Sequence, residues 1–343
     1  MSNQEILYQD SISIRKLPIN FNQADLALFE SELNKDIPAT KLFQLENVNV
    51  NPHGIIFRGT KIFVESFASP KHLDPWLTPK AKLKFFVKNN LFRHIEKIDS
   101  DVFWFTDNWS GNYFHWITDA LPRLFAIREK IVNGTLLLPA SYQDKENIIS
   151  SLSPFVFKEV KFVSNVIRCK TLYIPTHTAP TGNYNEILIR GLRNFYTDFY
   201  CKTSSENIGD KVYISRSKAP KRKIKNEEEC LVVLKEYGFK VIYFEDCSFE
   251  QQVKIALNAR YLISNHGAGL TNMLFMKSGS SVFELRKKAD IRNNCFFSLA
   301  SSLNLKYFYQ ICDSVDPEED AHTANLIVDC KLMRKNIEQM LTT

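Results

Sequence analysis

The chain has 343 residues, 44% of them hydrophobic, enough for two domains of ordinary size with a core each. Its 44 basic and 38 acidic residues are interspersed and leave a net charge of +6, which excludes the concentrated basic stripe of a nucleic-acid-binding protein but suits a phosphate-bearing substrate. Seven cysteines, widely spaced and without a C-x-x-C pair, exclude a disulfide framework or a zinc site and read as reduced thiols.

The chain opens MSNQEILYQDSISIRK, with no basic stretch followed by an apolar core, and no later stretch approaches the ~20 apolar residues of a membrane span. A soluble cytoplasmic protein is expected, with peripheral contact at the inner face of a membrane left open. Up to about residue 100, short strand-like runs (12–14, 54–58, 61–64) alternate with proline-bearing loops. A strand over 101–105 and a polar turn at 107–111 precede apolar positions 114, 117, 121, 124, 125 and 127, which recur at helical spacing and are interrupted by Pro122. Strand 134–139, helix 143–151 and strand 159–163 follow. This alternation predicts a parallel sheet with helices on both faces.

The loop 176–185, THTAPTGNYN, is the expected seam between a domain over 1–185 and one over 186–325. After a helix from 186 to about 202 comes a second alternating set: strands 211–215, 240–244, 261–264 and 281–285, with helices 226–237, 248–258 and 270–276 between them. Helices are also expected over 293–303 and, as an amphipathic terminal element, over 326–341.

Candidate chemistry gathers at strand ends, where ligands sit in doubly wound α/β folds. Asn265-His266-Gly267-Ala268-Gly269 links an apolar strand to Leu270, Thr271 and Asn272. Two glycines there let a ligand approach main-chain amides at a helix start, where phosphate is favoured; they also serve a tight turn for steric reasons alone. His266 is either a phosphate donor or a turn histidine satisfied by backbone. Arg216 ends the 211–215 strand, where a guanidinium can fork onto a diphosphate, and Arg222 follows in a basic loop whose Lys218, Lys221 and Lys223 also suit plain solvated surface. Asn226 and Glu229 have capping-box spacing. Glu284 closes the next strand, as a ribose acceptor or as a surface partner of Arg286 or Lys287.

In the first half, Asn112, His115 and Asp119 are three and four apart and share one face of a helix. The carboxylate can orient the imidazole as a general base or take the proton itself, and the same pair can equally be a buried structural contact. No Asp-x-Asp stands at a strand end and no His/Cys cluster has ligand spacing, so neither metal nor cofactor is expected.

Together, N-x-x-H-x-x-x-D, Ile214-Ser215-Arg216 with Arg222, Asn226 and Glu227, and H-G-A-G-L-T-N followed by Glu284 resemble glycosyltransferase family 61 over about residues 101–310. The run from Cys295 to Ala300 and on to Tyr307 is similar to the family's next helix. The resemblance implies a GT-B-type architecture: two Rossmann-like domains facing across a cleft, with a C-terminal helix, 326–343, returning to the first. It implies inverting, metal-independent transfer from a nucleotide sugar, commonly UDP-linked, to a hydroxyl of a glycan or lipid-linked glycan, as in bacterial surface-polysaccharide assembly.

Under that resemblance His115, assisted by Asp119, is the base, and Asn112 and Trp116 stand on the sugar and acceptor side. Arg216, Arg222, residues 266–272 and Glu284 bind the donor nucleotide and its diphosphate. Loops 108–112 and 178–185 choose the sugar. Two rivals remain: a catalytically silent nucleotide- or glycan-binding protein on the same fold, and an NAD-dependent oxidoreductase. Against the second, the G-x-G-x-x-G spacing fails at Asn272.

Overall fold

The computed structural model describes residues 3–90, 94–202 and 208–343. Its contacts divide the chain into two compact units, Met1–Ser11 with Ile37–Thr181, and Ile12–Asp36 with Gly182–Thr343. The later division falls between Thr181 and Gly182. The second unit, however, also takes residues 12–36, which the sequence had placed with the first domain.

Unit 1 is built on a mixed sheet rather than the all-parallel one expected. Strands Val166–Pro175, Ile95–Phe103, Thr135–Pro139 and Glu159–Val163 run parallel, whereas Thr40–Val50 pairs antiparallel with Val166–Pro175, Asn3–Tyr8 and Ile56–Arg58. Val48, Trp104, Leu137, Val163 and Leu172 make one core cluster, and Phe57, Phe67 and Phe85 belong to another.

The helix after the 95–103 strand is irregular for a reason written in its sequence. Asn112 stands outside it as the N-cap, its Oδ1 accepting the Phe114 amide at 3.0 Å, so it does not share a helical face with His115 and Asp119 as expected. Tyr113–His115 is α-helical, Trp116–Ala120 is a π turn, and Leu121–Ala126 returns to α. Pro122 has no N–H to offer Thr118, and the ladder widens so that the Leu121 amide bonds back to Trp116.

Unit 2 holds a six-stranded sheet in the order Lys240–Ile242, Lys211–Ile214, Tyr261–Asn265, Ser281–Lys287, Lys306–Ser314, Leu326–Ile327. All neighbours are parallel except the last pair. In chain order this is 2-1-3-4-5, the doubly wound arrangement whose direction of winding reverses between the first and third strands. The central strands are buried on both faces, which explains their nearly continuous apolar runs.

Residues 12–36 strap onto this sheet. The Ile19 amide donates to the Tyr307 carbonyl at 2.9 Å, and Asn20 exchanges two hydrogen bonds with the Tyr309 main chain. Phe29 sits fully buried with its ring 4.9 Å from Phe297 and 5.0 Å from Tyr309.

The terminal helix begins at Cys330, not 326, and places Met333, Ile337 and Met340 in the core of unit 2 beside Cys230, Leu234 and Phe308. It therefore completes the second unit, in place of the expected return to the first domain.

Candidate active site

On unit 2 the reversal of winding opens between the carboxyl ends of Lys211–Ile214 and Tyr261–Asn265, and the residues there are Ser215, Arg216, His266 and Gly267. Arg216 lies against Gly267 so closely that a Cβ on that glycine would stand 2.5 Å from Nη1. Gly269 is similarly packed, with the Ile214 side chain 3.0 Å from where its Cβ would be. From Ala268 to Phe275 the chain forms a 3-10 run, not the α-helix expected, and its leading amides have no partner within the turn. Leu270, Thr271 and Asn272 are buried. The Asn272 amide is spent inside the fold, donating to Gln252 Oε1 and to the Gly269 carbonyl, both at 3.2 Å.

Arg222 adopts a left-handed backbone (φ 58°), and the Asn265 amide donates to its carbonyl. Burial and the charge of Arg222 push the Arg216 pKa down to about 10, and burial also lowers that of Arg222. Two half-buried guanidiniums that repel each other are a costly arrangement without a shared anion. Four buried polar atoms here, Nε of Arg216, Nε of Arg222, Oδ1 of Asn265 and Oγ1 of Thr271, find no partner among the described residues. Burying such groups unpaired costs about 1–3 kcal/mol each, so they point to a polar ligand.

Glu284 differs from both expectations for it. It lies inside strand Ser281–Lys287, fully buried, and is neither at the strand's end nor in a surface pair. Its two carboxylate oxygens are engaged by His266 Nδ1 and by the Tyr307 hydroxyl, each at 2.5 Å. His266 is thus oriented by a carboxylate, not by backbone, with its ring 4.9 Å from Phe296. Asn226 caps no amide of its helix. It clasps Val328 instead, donating to the carbonyl (2.9 Å) and accepting from the amide (3.0 Å).

On unit 1, His115 Nδ1 meets Asp119 Oδ2 at 2.8 Å, and the same oxygen accepts from Thr181 Oγ1 at 3.1 Å. With Nδ1–H donating to the carboxylate, Nε2 carries the lone pair that accepts a proton. Trp116 is fully buried, its indole N–H donating to Ser151 Oγ at 2.7 Å, and so cannot face a sugar as expected. The aromatic beside His115 is Trp109, 37% exposed, with ring centroids 4.9 Å apart.

The sequence model of the family described as "Glycosyltransferase 61" matches residues 113–283. Residues 113–283 are thus similar to that family. An EGF domain-specific O-linked N-acetylglucosamine transferase of Drosophila melanogaster is 33% identical over 114 residues, 32% of this chain and 21% of that protein. A protein O-linked-mannose beta-1,4-N-acetylglucosaminyltransferase 2 of Xenopus tropicalis is 35% identical over 114 residues, 31% of this chain and 20% of that protein. The chain thus matches about a fifth of the length of these curated relatives.

The domain match takes in His115, Asp119, Arg216, Arg222 and residues 266–272, and stops one residue before Glu284. Further groups hold these in place, of which Glu227 stood in the sequence pattern without a role and Asp107 only as part of a polar turn. Glu227 Oε1 accepts from Tyr213 (2.6 Å) and Ser215 (2.8 Å), bracing the strand end that presents Arg216. Asp107, just outside the match, accepts from the Trp109 and Ser110 amides and so orders the loop that carries Trp109. Its other oxygen meets His177 Nε2 at 2.7 Å and lies 3.5 Å from buried Arg123. Burial favours the neutral acid, but the His177 hydrogen bond and the Arg123 charge outweigh it and hold Asp107 well below the usual carboxylate range. The available signal was an acid at a strand end with a serine three residues on; His177 lies 70 positions away, beyond any spacing rule.

Proposed function

We propose that this chain is an inverting glycosyltransferase that moves a sugar from a UDP-linked donor to a glycan hydroxyl without a metal. The observation that carries this reading is the Arg216–Gly267 contact at the reversal of winding, with the unpartnered donors of Arg216, Arg222 and Thr271 around it. Direct displacement at an anomeric carbon needs a base for the incoming hydroxyl and fixed positive charge for the departing diphosphate. His115, held in one tautomer by Asp119, is the base. Arg216, Arg222 and the leading amides of the 268–275 turn stabilise the diphosphate, which is the task a divalent cation performs elsewhere. His266, oriented by buried Glu284, adds a ring N–H or its charge.

Because the relatives' names specify N-acetylglucosamine, that sugar is the first to test on the UDP donor. A GT-B-type plan is part of the reading, supported by the doubly wound sheet of unit 2. So are a glycan or lipid-linked glycan acceptor in surface-polysaccharide assembly and a place at the cytoplasmic face of a membrane. Among the described residues no helix is long and apolar enough to cross one.

The decisive experiment measures UDP release and product anomeric configuration across a panel of UDP-sugars, with and without a chelator. Release that survives chelation, with inverted product, is expected. His115→Ala should lose about 10²–10⁴-fold in rate while UDP still binds. Release abolished by the chelator overturns the metal-free mechanism, and unchanged function in His115→Ala favours a protein that only binds.

A further inference from the structure

We propose that unit 1 carries a second binding site, for an anionic lipid, on the face formed by helix Pro79–Asn90 and the turn before it. A cavity of about 390 Å³ lies there, within the size range of small-molecule sites. Its walls are Trp76 and Phe85, its rim Lys84 and Lys88, with Asn51 and His53 across from them. Ala81, Lys84, Phe85 and Lys88 recur at three- and four-residue spacing, so one helix face supplies both floor and rim. The aromatic floor is rigid: Phe85 stands edge-on to Trp76 (5.6 Å) and to Phe57 (5.0 Å).

The two asparagines inside are already satisfied. Asn51 Oδ1 accepts the His53 and Ile55 amides at 3.0 Å each, and the Asn89 amide donates to the Phe85 carbonyl at 2.8 Å. The lysines are not: among the described residues neither Lys84 nor Lys88 has an ion pair. The site therefore offers an apolar hole beneath two free ammonium groups.

Its surroundings select the occupant. Residues 71–90 contain five lysines against the single carboxylate of Asp74. Leu77 (48% exposed) stands out into solvent in the turn before the helix. A soluble phosphate compound would leave that aliphatic side chain in water, whereas a bilayer receives it together with the cationic rim. An acyl or prenyl chain fills the cavity, and the phosphate of its headgroup pairs with Lys84 and Lys88. The proposal uses unit 1 geometry alone, so it stands or falls apart from the transfer reading.

Full-length protein is tested for cosedimentation with vesicles of phosphatidylcholine alone and with added phosphatidylglycerol. Partition onto the anionic vesicles only is expected, weakening in high salt. The double variant Lys84→Gln/Lys88→Gln should lose on the order of thirtyfold in partition coefficient, each lysine near the surface being worth roughly fivefold. Vesicles of brominated phosphatidylglycerol should quench tryptophan fluorescence, and Trp76→Phe should remove that quenching while keeping an apolar wall. Equal binding to neutral vesicles, wild-type partition by the double variant, or undiminished quenching in Trp76→Phe would each overturn the proposal. UDP release toward a soluble acceptor, assayed without vesicles, reports separately on transfer.

Discussion

A methyl group on Gly267 separates binding from folding. Its φ of 167° is extended backbone that alanine adopts freely, and the obstruction is the mobile end of Arg216, 2.5 Å from the added carbon. Gly267→Ala should therefore keep its thermal midpoint while UDP affinity falls roughly 10- to 100-fold, the worth of a displaced charge-assisted contact. Calorimetric titration beside a melting curve checks this; unchanged affinity would remove Arg216 from the diphosphate site. Asp107 acts the opposite way. Asp107→Asn leaves buried Arg123 uncompensated and should cost about 3–5 kcal/mol in urea unfolding. Since the native carboxyl titrates below its ordinary range, its contribution is complete above the unfolded pKa of roughly 4 and fades as pH falls through the lowered native value. Wild type and variant should converge in strong acid. Glycines and arginines at strand ends were legible because both facts lie within a few consecutive residues. The Asp107–His177 bond was not, because only the sheet brings its ends together.

At the level of elements, Asn226 ties the start of helix Glu227–Glu236 to the chain before helix Cys330–Thr342. Asn226→Ala removes both hydrogen bonds to Val328 and should lower stability by about 2 kcal/mol in denaturant unfolding, with UDP binding kept. A loss below a few tenths would mean that water replaces the clasp. The same element shows how pattern reading errs: Asn-Glu-Glu-Glu fits a capping box, but the asparagine is claimed by Val328, distant in sequence. The strands of unit 2 could be read from the chain because strands covered on both faces are apolar throughout. Thr40–Val50 escaped notice because Gln44, Glu46 and Asn49 break its apolar run. The 3-10 character of 268–275 escaped too, since eight apolar-rich residues fit either helical period.

For the whole molecule, two separate cores predict two calorimetric transitions, not one. UDP at a hundred times its dissociation constant should stabilise the unit it binds by about 2.7 kcal/mol and move that transition alone. Transitions that shift together would show that the units unfold as a single body. The N-terminal strap gives the pair of units an order of birth. Residues 12–36 leave the ribosome well before Phe29's ring partners, Phe297, Tyr307 and Tyr309. The intervening unit can close while this aromatic segment is still waiting for its berth, a natural handhold for chaperones. An expression clone begun at Gly182 would lack the strap altogether and bare that aromatic groove to aggregation.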